Sequence, residues 1–170
     1  DMDRLSGLRK MMPVTATLAC VASAAMAGVP LLNGFLSKEM FFAVAADWNN
    51  GSWLDNTLPY WAVLAGAFSV AYSLRFILSV FFGPIATDLP RSPHEPPALM
   101  RGPVEALVLI CLLVGILPGL TLGPVLHLAA VSVLGPDLPY TDIAVWHGFT
   151  LPLAMSSVAL VAGIVLYAVF

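Results

Sequence analysis

A lysine and a glutamate stand side by side, at Lys38 and Glu39, in a long apolar stretch of this chain. A charged amine near the centre of a membrane helix costs roughly 2.5–3.5 kcal/mol on insertion scales, so it is expected to be functional. Burial favours the neutral amine, and a nearby carboxylate favours the protonated form. We therefore predict proton handling, with Lys38 as the proton carrier and Glu39 as a pairing acid or a cation ligand. Because adjacent helical residues point about 100° apart, each needs its own partner.

The two charges follow a helix-breaking segment, GVPLLNG, in which Gly28, Pro30, Asn33 and Gly34 interrupt the apolar run. Backbone groups that a break frees inside a membrane are tolerated only where protein or a water-filled cavity satisfies them. A plain membrane anchor has no use for such a break, so break and lysine together indicate an ion path. The structural alternative is a lysine that only snorkels to the interface.

Other polar side chains are secondary candidates. Arg75 lies about 10 Å inside a predicted span, where a long side chain can still reach the interface. His147 lies at the outer end of the last predicted span. The three histidines have no metal-ligand spacing, and Cys20 and Cys111 have no CxxC spacing and are expected to fill apolar helices. We expect no metal site and no cofactor.

The composition indicates an all-α integral membrane protein. Of the 170 residues, 59% are hydrophobic and only 10% are charged, and the mean hydropathy is +0.91. The apolar runs approach the twenty residues that a helix needs to cross a bilayer. With no basic cluster among aromatics, we expect no nucleic-acid binding. The sequence starts at Asp1 without an initiator Met, and no positively charged leader precedes a cleavage site, so we expect no signal peptide and a piece of a longer protein.

Polar and proline-rich segments divide the chain into about four transmembrane helices, of which the first is discontinuous. Small residues in the first span are typical of close membrane-helix packing. The predicted segments are a cytoplasmic lead (1–11), the discontinuous transmembrane helix (12–46), an outer loop (47–58), a second transmembrane helix (59–82), a cytoplasmic proline-rich loop (83–102), a third transmembrane helix (103–122), an outer loop with a short interfacial helix (123–148) and a last transmembrane helix (149–170).

The basic residues predict the orientation of these spans. The segments 47–58 and 121–147 contain neither lysine nor arginine. Basic residues instead occur before the first span and between the second and third, at Arg4, Arg9, Lys10, Arg91 and Arg101. Because cytoplasmic loops are enriched in basic residues, we predict a multi-pass protein of the cell (inner) membrane with its N-terminal end in the cytoplasm.

Several motifs resemble one family of membrane proteins. Residues 7–42 resemble the second discontinuous helix of the antiporter-like proton-translocating subunits of respiratory complex I, membrane-bound hydrogenases and Mrp-type multisubunit Na+/H+ antiporters. YSLRF at 72–76 and FFGP at 81–84 match the same family. The SKE form of the motif at Lys38, the HEPP loop, and WHGF before the last span most resemble the large A-type subunits of the Mrp antiporters.

The resemblance implies a fragment of a larger inverted-repeat helical transporter fold. Family members have two inverted repeats of five helices, and this chain would supply the broken helix of the second repeat, with Lys38 as its central lysine and Glu39 as the neighbouring acid. It implies a secondary transporter subunit, not an enzyme, that exports Na+ or another monovalent cation in exchange for H+. Its partners would be other antiporter subunits and the lipid bilayer. The relay residues of the first repeat are absent, so this stretch alone is not expected to transport.

Two alternatives remain open from the sequence. One is a proton-pumping antiporter-like subunit of respiratory complex I or a membrane-bound hydrogenase, coupled to redox chemistry elsewhere. The other is a structural membrane scaffold whose charged side chains merely snorkel. Replacement of Lys38 separates a transporter from a scaffold, because a scaffold should keep near-normal activity.

Overall fold

A computed structural model describes residues 5–48, 53–87, 89, 92–135 and 148–169. Within these ranges the regular structure is helical and contains no strand, which confirms the all-α class. The elements are a short 3-10 helix at Leu8–Lys10 and the helices α1 (Pro13–Ala27), α2 (Asn33–Asp47), α3 (Trp53–Val80), α4 (Ala98–Ile116), α5 (Pro118–Thr121), α6 (Gly123–Leu134) and α7 (Leu151–Val169).

Three of these helices, α3, α4 and α7, are long and apolar enough to cross a membrane. Helices α1 and α2 contain 15 residues each, which is about 22 Å of helix against about 30 Å of hydrocarbon. They are joined by the non-helical residues 28–32. This interrupted pair occupies the stretch in which the sequence predicts a discontinuous first span. The short helix α6 falls where a short helix is predicted, and its location at an interface stays a prediction.

Two long helices begin several residues before the prolines that the sequence analysis predicts as their first residues. Helix α3 begins at Trp53 and contains Pro59, and α4 begins at Ala98 and contains Pro103. Both prolines lie in the second turn, so each removes a single hydrogen bond close to a helix end that is already short of partners. Asp55 in the first turn of α3 complements the positive end of the helix dipole. Because the prediction takes each proline as the first residue of its helix, each predicted start lies more than a turn after the observed one.

The helices pack through small residues. A side-chain carbon added at Gly163 of α7 would lie 2.6 Å from the carbonyl oxygen of Ala67 in α3. Glycine at this position therefore lets the two backbones approach closely, as is common between membrane helices. Beside this contact, a buried cluster joins α2, α3 and α7 through Phe42, Ala45, Ala62, Met155 and Ala159.

The segment ahead of α1 is fastened to the end of α3. The amide of Arg9 donates to the carbonyl oxygen of Phe81 at 3.2 Å, and its guanidinium lies 5.1 Å from the centre of the Phe82 ring. Leu8 is buried against Phe81 in a second apolar cluster. Glu95, from the segment before α4, accepts hydrogen bonds from the first amides of α1. Residues of the FFGP motif thus contact the segment before α1, and Glu95 of the HEPP motif binds the first turn of α1.

Candidate functional site

Helix α1 ends in a left-handed turn at Gly28, whose φ is +82°. The amide of Gly28 donates to the carbonyl of Ala25, and that of Val29 donates to the carbonyl of Ala24, both at 3.0 Å. These two bonds form a Schellman motif, which satisfies two of the four carbonyl groups that a helix leaves unpaired at its C-terminus. The carbonyl groups of Met26 and Ala27 remain and need other donors.

Two side chains from other helices supply those donors. The Lys38 amine, in the second turn of α2, donates to the carbonyl oxygen of Ala27 at 2.9 Å. The Ser69 hydroxyl of α3 donates to the carbonyl oxygen of Met26 at 2.8 Å. The amine also donates to the Ser69 hydroxyl oxygen at 3.2 Å. All four terminal carbonyls of α1 are therefore satisfied, and Lys38 completes the cap from across the break.

The electrostatics of this position suit a cation. The C-terminal end of a helix carries a partial negative charge, which favours a positively charged amine beside it. Lys38 is half-buried, and within the described ranges its amine forms no ion pair with a carboxylate. The protonated amine is therefore held by helix-end carbonyl dipoles and one hydroxyl. Because hydrogen bonds from a charged donor are roughly twice as strong as neutral ones, gain or loss of this proton changes how firmly the break is closed.

Glu39 does not join this group. Its side chain is half-buried, and in the described part of the chain it forms neither a hydrogen bond nor an ion pair. Neighbouring positions on a helix diverge, as the sequence predicts. The structure thus does not bring the Lys38 amine and the Glu39 carboxylate together, and a pairing role for Glu39 stays a prediction.

The residues predicted to form the break occupy two different settings. Gly28 and Pro30 lie in the non-helical link, whereas Asn33 and Gly34 form the first turn of α2. A side-chain carbon added at Gly34 would overlap the carbonyl oxygen of Ala25. Gly34 therefore acts by close approach of α2 to the end of α1, rather than by ending a helix.

Helix α4 supports the break from a third side. The link contains Leu31 with a positive φ of 70°, a conformation that is costly for a residue with a side chain and is typical of functional sites. A side-chain carbon at Gly115 of α4 would lie 2.6 Å from the Cα of Leu32. One turn earlier, the Cys111 thiol lies 2.9 Å from the Oδ1 atom of Asn33 and donates to it. Cys111 is therefore a polar contact to the break rather than only an apolar filler.

Of the two secondary candidates, Arg75 is not part of the group formed by Lys38, Ser69 and the end of α1. Arg75 is exposed on α3 and lines a groove of about 960 Å³ with Tyr72 and with Tyr167 of α7. In the chain as described, its guanidinium has no hydrogen bond or ion pair. This exposure is compatible with the snorkelling that the sequence suggests. His147 lies outside the described residues.

Sequence reasoning missed the contacts that come from distant parts of the chain. In the sequence, Ser69 looks like the other small packing residues of its span. The one signal is that Ser69 and Ser73 are four residues apart, so both hydroxyls lie on one face of the helix. Glu95 stands out only as part of the HEPP motif. Gly115 and Cys111 carry no signal of their own, because their roles depend on where α4 lies against the break.

Comparisons with known proteins bear on this site. Residues 1–69 match the family described as "NADH:quinone oxidoreductase/Mrp antiporter, TM". The chain is 60% identical to a protein of Rhizobium meliloti (strain 1021) that is named as the A/B subunit of a probable K(+)/H(+) antiporter, over 98% of this chain and 17% of that protein. It is 33% identical to the A1 subunit of a Na(+)/H(+) antiporter of Staphylococcus saprophyticus, over 100% of this chain and 22% of that protein.

A solved structure shares the fold. The chain superposes on one chain of the "Structure of Mrp complex from Dietzia sp. DQ12-45-1b" with a TM-score of 0.80 and 36% identity, over 97% of this chain and 17% of that one. The chain spans about a fifth of the length of the curated relatives it matches. The resemblance predicted from the sequence is thus confirmed: the chain is similar to the NADH:quinone oxidoreductase/Mrp antiporter membrane subunits, and the similarity falls on one section of relatives that are named as A/B or A1 antiporter subunits.

Proposed function

We propose that the complete protein carrying this chain is a subunit of an Mrp-type antiporter that exports Na+ in exchange for H+, and that Lys38 carries the proton. The observation on which this rests is the Lys38 amine, 2.9 Å from the Ala27 carbonyl oxygen at the end of a broken helix. No carboxylate among the described residues fixes this amine in its charged form. A lysine in such a position can change protonation state without leaving an acid unpaired.

The chemistry follows from the donors and acceptors of the amine. When protonated, it presents three N–H donors, and the Ala27 carbonyl and Ser69 hydroxyl accept two of them. Loss of a proton weakens these bonds, because the donor is no longer charged. Protonation therefore tightens the contact between α2 and α1, and deprotonation loosens it. Such a change at a break is a means to couple proton release to movement of the two half-helices.

The cation is the finer part of the proposal. Sodium follows from the sequence resemblance and from the name of the staphylococcal relative. Potassium is the second candidate, since the rhizobial relative at 60% identity is named for K+. The partners would be the other antiporter subunits of the complex, in the cell (inner) membrane, and Glu39 is a candidate for pairing with a lysine or a cation there.

The test uses the complete protein, assembled in its complex in everted membrane vesicles. Proton movement on addition of Na+ or K+ is followed by a pH-sensitive dye for the protein with Lys38→Ala. We expect transport to fall to the level of vesicles that lack the protein. Lys10→Ala is the matched control, because Lys10 is the other lysine of the chain and is exposed, and it should transport normally. Normal transport by Lys38→Ala, at equal protein level, would favour the structural scaffold instead.

A further inference from the structure

Ser69 connects two of the groups that close the break. Its hydroxyl hydrogen is used in the bond to the Met26 carbonyl, at 2.8 Å. Its oxygen lone pairs are therefore left to accept from the Lys38 amine, at 3.2 Å. A serine hydroxyl has one donor and two acceptor positions, so the bond to Met26 fixes which way the hydroxyl points.

We infer that Ser69 is a positioning residue that holds the Lys38 amine so that only one of its three N–H directions exchanges a proton. This inference rests on the proposed role of Lys38 as proton carrier. The Ala27 carbonyl and the Ser69 hydroxyl occupy two directions. A neutral amine keeps two N–H donors and one lone pair, so it retains both bonds, and its lone pair takes the third direction.

Proton release at this third direction is balanced as follows. One Nζ–H bond breaks, its electron pair stays on Nζ as the lone pair, and the proton passes to a water molecule, which becomes hydronium. Uptake is the reverse step. The amine does not need to rotate during the transfer itself, since the acceptors at Ala27 and Ser69 are both in place when the Nζ–H bond breaks. The weaker bonds of the neutral amine then allow α2 and α1 to loosen. Ser69 thereby gives the exchanged proton a fixed direction.

Charged and titratable groups on the neighbouring helices do not provide an alternative partner. Within the described residues, the only hydrogen bonds of the amine are those to Ala27 and Ser69. The titratable groups on α2 and on the helices packed against it are Cys20 on α1, Glu39 and Asp47 on α2, Asp55, Tyr60, Tyr72 and Arg75 on α3, Arg101, Glu105 and Cys111 on α4, and Tyr167 on α7.

The neighbouring serine provides a matched control. Ser73 lies one turn along α3, is more deeply buried than Ser69, and donates to the Ser69 backbone carbonyl at 2.8 Å. Its hydroxyl forms a bond within its own helix and has none with the amine. Ser73→Ala removes a hydroxyl from the same helix and face without touching Lys38, whereas Ser69→Ala removes an acceptor of the protonated amine.

The experiment measures the pH dependence of transport by the complete protein in its complex, in everted vesicles. Loss of the acceptor favours the neutral amine, so we expect Ser69→Ala to move the midpoint of the pH profile to lower pH by about one unit. Ser69→Thr, which keeps a hydroxyl, should restore the original midpoint, and Ser73→Ala should leave it unchanged. If Ser69→Ala does not accumulate in the membrane, Ser69→Cys carries the same expectation, because a thiol is a weak acceptor.

An unchanged midpoint in Ser69→Ala, or an equal shift in Ser73→Ala, overturns the inference. Lys38→Ala separates this failure from failure of the proposed function. If Lys38→Ala abolishes transport while Ser69→Ala keeps the original midpoint, only the role of Ser69 is lost. If Lys38→Ala transports normally, the proton-carrier role is lost, and the inference falls with it.

Discussion

Thr15 donates two hydrogen bonds to the carboxylate of Glu95, one from its hydroxyl to Oε2 at 2.8 Å and one from its amide to Oε1 at 3.3 Å. The amide of Val14 donates to the same Oε1 atom at 2.7 Å. Glu95 thus satisfies unpaired amides at the start of α1 and complements the positive end of its dipole. A residue far along the chain performs the task that a neighbouring Ser, Thr or Asp normally performs.

This contact makes stability depend on pH. Partial desolvation by itself raises the pKa of the Glu95 carboxyl, but the hydrogen bonds from Thr15 and Val14, with the charge of Arg101, hold the pKa below its ordinary value. Because the folded-state pKa is the lower one, the carboxylate stabilises the fold above the ordinary glutamate pKa of about 4.3. That stabilisation is lost as the pH falls through the folded-state pKa.

We therefore expect Glu95→Gln to lower the thermal midpoint of the detergent-solubilised protein by a few degrees at pH 7, with the difference from the unsubstituted protein closing below about pH 4. Glu105→Gln is the control, since within the described residues Glu105 takes part only in a partly exposed pair with Arg101, one turn away. Such pairs contribute little. A constant Glu95→Gln difference at every pH would contradict the charged cap.

A second prediction concerns the close approach at the break. Gly34→Ala places a methyl group against the Ala25 carbonyl oxygen, so the two half-helices must separate, at a cost of about 1–3 kcal/mol for overpacking. Gly102→Ala in α4 is the matched control, because nothing lies within 4 Å of the added carbon and alanine favours a helix interior by about 0.5–1 kcal/mol. The free energy of unfolding of both variants is measured in mixed detergent micelles. An equal change in the two variants would argue against close approach of α2 to the end of α1.

A third prediction compares two adjacent phenylalanines in α2. Phe42 is 1% exposed and packs in the cluster that joins α2, α3 and α7, whereas Phe41 is 53% exposed. Phe42→Ala should cost about 3–5 kcal/mol, because it removes the largest fully buried side chain among the described residues and leaves a cavity. Phe41→Ala should cost far less in the same unfolding assay. A reversed order would mean that α2 presents its other face to α3 and α7.

Local sequence features predicted the parts of this site that are themselves local. Lys38 and the break could be recognised from the sequence alone. A lysine is rare in an apolar run, and Gly28 and Pro30, which interrupt a helix, come shortly before it. The acceptor of the amine on α3 could not, because Ser69 is 31 positions away and reaches Lys38 only through helix packing. Gly34 could be recognised as part of the break, but its tight fit against Ala25 depends on the same packing.

The last prediction tests the orientation. Helix α3 has 28 residues, about 42 Å of helix, so we expect its two ends to lie on opposite sides of a bilayer of about 30 Å. Basic residues flank its C-terminal end, where Arg9 packs against Phe82, and the segment before α3 has none. The end with the basic residues is expected to be cytoplasmic.

We replace Cys20 with alanine and Cys111 with serine, which keeps a donor to Asn33, and add one cysteine at Trp53 or Thr87, both of which are exposed. A membrane-impermeant maleimide should label Trp53→Cys in intact cells and Thr87→Cys only in inverted vesicles. The reverse pattern would mean that the orientation is opposite to the predicted one, with the break exposed to the other side of the proton gradient. Labelling of both positions from one side would mean that α3 does not cross, since a helix of this length exposes only one end to each compartment.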